Sequence, residues 1–168
     1  MKNIFLIGFM GSGKSTVASY LCQNKGMGVI EMDQLIVERE GMSISDIFAK
    51  HGEPYFRDLE TNLLIEIQSE QNKVVSCGGG VVLREQNVEE MKKRGVIVLL
   101  TASPETILER VKDDDNRPLL RGNKNVPFIR DMMEKRRAKY ESAADVVIHT
   151  DDKSMKQICD EIFAQIAQ

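Results

Sequence analysis

Apolar and polar residues fall in blocks along this chain of 168 residues. Three short runs, around residues 4–7, 74–76 and 96–100, are apolar without interruption. Strands covered on both faces of a parallel sheet have this pattern, whereas half-exposed strands alternate. The pattern predicts strands over 3–8, 28–33, 73–77, 96–101 and 145–149. Helical patterns fill the intervals, over 14–25, 34–40, 43–50, 53–70, 84–94, 103 to about 112, 127–143 and 154–166. Two of the helix starts carry local signals. Ser43 and Asp46 fit a capping box, and Ser103-Pro104-Glu105 supplies an N-cap, a proline at the first helical position and an acid. In the last helix Ile158, Ile162, Phe163 and Ile166 share one face. Residues 113–125 are polar and rich in Asp, Asn, Arg and Gly, so a mobile surface loop is expected there. Strands alternating with helices predict a three-layer α/β fold, and the absence of repeats or an interdomain linker predicts one domain over 1–168.

The first strand runs into Gly8-Phe9-Met10-Gly11-Ser12-Gly13-Lys14-Ser15, which fits G-x-x-x-x-G-K-[ST]. Glycines let such a loop turn and approach an anion closely, so that its N–H groups and the N-terminus of the next helix surround phosphate. Lys14 would reach the β- and γ-phosphates as a point charge, and the Ser15 hydroxyl would ligate Mg²⁺. A chance match arises about once in a few hundred chains of this length at average residue usage. Here the motif also follows an apolar strand and opens a helix, as a phosphate loop must. The expected nucleotide contacts are Gly11, Ser12, Gly13, Lys14, Ser15 and Thr16.

Composition narrows the class. Net charge is −3, which gives no general field to attract nucleic acid. No stretch reaches the roughly 18–20 apolar residues needed to span a bilayer, and the apolar start is too short for a signal peptide. Cys22, Cys77 and Cys159 are odd in number and lack C-x-x-C spacing, so they are expected to be reduced packing residues in a cytoplasmic protein. His51 and His149 have no partner pattern. A GTPase switch would need N-K-x-D and D-x-x-G. The Asn-Lys pairs at Asn24, Asn72 and Asn123 have Met27, Val75 and Val126 in place of the acid, and D-x-x-G is absent. A motor ATPase would end its third or fourth strand in an acid, and these end in Cys77-Gly78 and Thr101. A small kinase remains.

Ligands of open α/β sheets sit beyond the carboxyl ends of the strands. Asp33 at the end of strand two, Arg57 in the following helices, Gly78-Gly79-Gly80 after strand three, and Arg136 are all expected near there. One carboxylate, two guanidiniums and bare backbone N–H groups suit a small hydroxylated acid. Each arginine alone has a blander reading; for Arg57 it is a surface ion pair with Glu53 or Glu60.

In these residues the sequence resembles the shikimate kinases, over essentially the whole chain and in order. It carries G-F-M-G-S-G-K-S-T at 8–16, E-M-D at 31–33 and G-x-S-I-x-D-I-F at 41–48. It continues with G-E-x-x-F-R-x-x-E at 52–60, G-G-G at 78–80, R-P-L-L at 117–120, and Arg136 four residues before Tyr140. The resemblance implies a P-loop fold of the nucleoside-monophosphate-kinase type with a five-stranded parallel sheet, a substrate-binding insert at about 33–60 and a closing lid at about 112–125. It implies transfer from ATP to shikimate, giving shikimate 3-phosphate, in aromatic amino-acid biosynthesis, by a cytoplasmic monomer with Mg²⁺. By the same resemblance Asp33 orients the attacking hydroxyl, Arg57 and Arg136 hold the carboxylate, and the Gly79 region lines the ring. Arg117 comes from the lid onto the phosphates, and Arg110 lies against adenine.

Three positions depart from the family pattern. Glu31 stands where an Asp usually holds Mg²⁺ through water. Residues 148–153 leave Lys153 as the nucleotide contact after the last strand. Ala138-Lys139 replaces the usual Pro-Leu, which leaves Arg136 and Arg137 to be told apart. A kinase for gluconate or another small polyol acid is the alternative. A non-catalytic ATP/ADP-binding module would keep 8–16 but would not need the Asp33, Arg57 and Arg136 set.

Overall fold

The computed structural model describes residues 1–112 and 125–167. Among these, five strands form one parallel sheet in the order β2-β3-β1-β4-β5, with eight helices around it. The strands are β1 Asn3–Ile7, β2 Gly28–Glu31, β3 Lys73–Ser76, β4 Gly95–Thr101 and β5 Val146–His149. The helices are α1 Lys14–Lys25, α2 Met32–Glu40, α3 Ile44–His51, α4 Glu53–Ile67, α5 Glu85–Arg94, α6 Pro104–Val111, α7 Val126–Ala143 and α8 Met155–Ile166. A single 3₁₀ turn, Val81–Leu83, follows the triple glycine; the sequence pattern does not reveal it.

Period-two side chains explain the layers. Phe5 and Ile7 of β1 face a core shared with α2–α7, and Ile4 and Leu6 face a second core under α1 and α8. All five residues of β1 are buried, as its unbroken apolar run predicts. Helix starts follow their caps. Ser43 accepts from the Asp46 N–H at 3.1 Å and Ser103 from Thr106 at 3.2 Å, and Ser154 with Gln157 forms a reciprocal capping box.

Two expectations are corrected. Asp33 does not end strand two. The strand stops at Glu31, whose extended backbone serves as N-cap, and Asp33 sits in the first turn of α2. Cys77 and Cys159 pack in the interior, but Cys22 lies on the exposed face of α1. Among the described residues no helix is long and apolar enough to cross a membrane.

Candidate active site

The phosphate loop joins β1 to α1, and its glycines are conformationally required. Gly8 has φ 149°, and a Cβ there would lie 2.4 Å from the Leu100 carbonyl oxygen. Gly13 is the N-cap of α1 in a left-handed conformation with φ 99°. Among the described residues no side chain caps α1 and no acid lies in its first turn, so the helix start suits an anion. Lys14 is buried, and its ammonium donates to the carbonyls of Gly8 at 2.8 Å and Phe9 at 3.1 Å. Arg110 of α6 reaches across to the Gly11 carbonyl at 2.8 Å. The loop opens onto a cavity of about 570 Å³ that Glu31, Asp33, Ser76 and Gly79 also line.

Hard oxygen donors collect at one wall of this cavity. The Ser15 hydroxyl donates to Glu31 Oε2 at 2.9 Å, and Ser76 Oγ lies 3.4 Å from Ser15 Oγ. This donor chemistry suits Mg²⁺. Among the described residues no cluster of three or more His, Cys, Asp or Glu could hold a metal by itself. Phosphate oxygens and water would therefore complete the shell of a cation here.

Beside the cavity the chain assembles charged side chains from three helices, α2, α4 and α7, against the triple glycine. Arg57 on α4 is 7% exposed and donates to Glu60 at 2.7 Å and to Glu53 at 3.1 and 3.3 Å. The pair with Glu60 is buried, so the surface ion pair does not describe it. Burial works to lower the Arg57 ionisation, and the charges and hydrogen bonds of Glu60 and Glu53 outweigh it. Glu60 has no exposed surface. Its carboxyl is pushed up to about 7 by burial, against the pull of Arg57.

Arg136 on α7 is buried, and its Nη1 has no hydrogen-bond partner among the described residues. Arg137 is largely exposed and pairs with Glu134. The packing therefore distinguishes the two arginines: Arg136 faces the site.

The triple glycine packs directly against these charges. A Cβ at Gly78 would lie 2.6 Å from Glu60 Oε2 and 2.8 Å from Asp33 Oδ1, and one at Gly80 would lie 2.5 Å from Arg57 Nη1. A side chain at either position would displace these charged ends, and glycine lets carboxylates and guanidinium crowd the backbone. Asp33, Arg57, Gly78, Gly79, Gly80 and Arg136 are thus brought together with the phosphate loop. Lys153, after β5, pairs with Glu161 of α8 at 2.7 Å. Arg117 falls outside the described residues. In the sequence Glu60 stands only as a surface partner for Arg57 and as the last position of F-R-x-x-E; its burial beside Arg57 is what the sequence concealed.

A cavity with a phosphate-loop motif and the Asp33 carboxylate in its wall, and buried guanidiniums beside it, agrees with what sequence and structure comparisons find. The family model described as shikimate kinase matches residues 10–167. A shikimate kinase from Persephonella marina is 45% identical over 166 residues, covering 99% of both chains. The solved shikimate kinase from Acinetobacter baumannii in complex with shikimate superposes with a TM-score of 0.93 at 34% identity, covering 99% of this chain and 93% of that one. The enzyme from Aquifex aeolicus superposes at 0.83 with 38% identity, covering 98% and 96%. By its fold, its site and its full-length similarity, this chain belongs to the shikimate kinase family.

Proposed function

We propose that this chain transfers the γ-phosphoryl group of ATP to the 3-hydroxyl of shikimate, giving shikimate 3-phosphate and ADP on the route to aromatic amino acids. The observation that carries the acceptor is Arg136: a buried guanidinium whose Nη1 has no hydrogen-bond partner among the described residues and lies 3.7 Å from the Cβ position of Gly79. A buried cation of this kind is matched by a ligand carboxylate. Arg57 serves the same carboxylate while anchored by Glu60 and Glu53, and Gly78 to Gly80 line the ring.

Asp33 receives the attacking hydroxyl, orients it and takes up its proton as the oxygen bonds to phosphorus. Lys14, Gly11, Ser12, Gly13, Ser15 and Thr16 hold the phosphates, and Arg110 and Lys153 the nucleotide beyond them. Mg²⁺, when bound, neutralises phosphate oxygens; Ser15 would hold it directly and Glu31 through water. Residues at about 33–60, in α2, α3 and the first half of α4, form the substrate-binding insert within the single domain. Arg117, in the lid expected at about 112–125, would stabilise charge on the transferring group, an effect worth about 10³-fold or more in kcat. The three cysteines, without a C-x-x-C pair, support a cytoplasmic setting, and we take the enzyme to act as a monomer.

The test is ADP release against shikimate, gluconate, nucleoside monophosphates and no acceptor, with the product identified by phosphorus NMR. Shikimate should support turnover at least 100-fold above the others. Faster turnover of gluconate would reassign the acceptor, and nucleotide binding with no acceptor-dependent release would make the chain a binding module.

A further inference from the structure

Tyr140 has no part in the roles assigned above, although it is buried and its hydroxyl meets the Gly79 carbonyl in the wall of the cavity. It lies four residues after Arg136 on α7, so both point from the same helix face. Its ring is 5% exposed. Its hydroxyl donates to the carbonyl of Gly79, and the Arg136 guanidinium lies near enough for its charge to act on the same phenol. Burial raises the ionisation of this phenol, with Arg136 opposing, so it remains a neutral donor through the physiological range.

The partner it holds needs an external anchor. Three successive glycines have few conformational constraints of their own. A Cβ at Gly79 would sit at ordinary contact, 3.5 Å from the Met10 nitrogen of the phosphate loop and 3.7 Å from Arg136 Nη1. Gly79 therefore lies between the phosphate loop and the acceptor's guanidinium. The Gly79–Gly80 peptide is planar and trans, so its carbonyl and the Gly80 N–H point in opposite directions. Fixing that carbonyl on Tyr140 directs the Gly80 N–H away from α7, and Gly80 itself lies against the Arg57 guanidinium.

We propose that Tyr140 is a positioning residue of the acceptor site: its single hydroxyl locks the Gly79–Gly80 peptide and Arg136 into one arrangement and so sets affinity for the acceptor's carboxylate end. This rests on the assignment of Arg136 to that carboxylate.

Tyr140→Phe keeps the ring and removes the hydroxyl, leaving the half-buried Gly79 carbonyl without its donor. Such a loss corresponds to about a tenfold change in an equilibrium constant. The expected result is a KM for shikimate raised about tenfold, with KM for ATP unchanged and kcat within about threefold. Arg136→Lys should also raise KM for shikimate, and the double variant should fall short of the product of the two single effects because the groups share one hydrogen-bond network. A second readout is independent of turnover: the Gly80 amide resonance should shift on adding shikimate to the wild type and respond differently in Tyr140→Phe. The proposal is overturned if Tyr140→Phe leaves KM for shikimate and the Gly80 response unchanged while Arg136→Lys raises KM, or if it raises both KM values equally with a lowered melting point. If Arg136→Lys itself leaves KM unchanged, the acceptor assignment fails, and the proposal with it.

Discussion

Glu60 has no contact with solvent, and burial pushes its carboxyl from 4.5 up to about 7. Between these values the folded protein keeps a proton that the unfolded chain has released. Stability from this group is therefore full below about pH 4.5 and is lost as pH rises through about 7. Glu60→Gln, which mimics the protonated form, should flatten the decline of unfolding free energy from about pH 5 to about pH 8 in urea titrations. An unchanged slope would place the titration on another group. Asp33 supports a different prediction. Asp33→Asn keeps a hydrogen-bonding group but cannot take a proton, so kcat should fall by about 10²-fold or more while ATP affinity holds. A loss of a few-fold would reduce Asp33 to an orienting role. Residue types and spacing made the set Lys14, Ser15, Asp33, Arg57 and Arg136 legible in the sequence. The choice of Arg136 over Arg137 was not, because adjacent residues on a helix differ only in which neighbours the fold gives them. Glu60 was concealed for a related reason: a spacing of three from Arg57 describes a surface pair as well as a buried one.

At the scale of elements, the fold could be read where chemistry is local. Unbroken apolar runs gave β1, β3 and β4, and serine caps gave the starts of α3 and α6. The end of β2 was misplaced by two residues because no cap residue or glycine marks the passage from Glu31 into α2. The triple glycine was recognisable as unusual, but its reason lies in side chains from α2, α4 and α7 that only the fold brings to it. The junction of β1 with the phosphate loop can be tested directly. Gly8 has positive φ, and the atom a Cβ would strike belongs to the backbone of β4. Gly8→Ala must distort either the loop or the central strand pair. Strain and overpacking together should cost on the order of 2–4 kcal/mol, read as a lower urea midpoint with weakened ATP binding. A variant of wild-type stability would mean that this loop relaxes at little cost.

At the scale of the whole molecule, the proposed acceptor site is a meeting of distant segments: Asp33 from α2, Arg57 and Glu60 from α4, the glycines after β3, and Arg136 from α7. None of these segments could hold shikimate alone, so binding selects the state in which all are docked, and ligand affinity must appear as global stability. At 100 times its dissociation constant a ligand adds about 2.7 kcal/mol. For a domain of this size each kcal/mol moves the melting point by about 2–4 °C, so saturating shikimate should raise it by roughly 5–10 °C. ATP with Mg²⁺ should give a shift of similar size through the phosphate loop, and Lys14→Ala should remove most of that one because the central point charge is lost. Arg136→Ala separates the two halves of the site. It should abolish the shikimate shift, since the acceptor's carboxylate would lose a buried guanidinium whose Nη1 has no partner among the described residues, and leave the ATP shift within about 2 °C. Differential scanning fluorimetry of the wild type and both variants, each with either ligand, gives all the required values. If Arg136→Ala keeps its shikimate shift, the carboxylate is held elsewhere, and Arg136 serves to balance the buried charge of Glu60 and Asp33 instead.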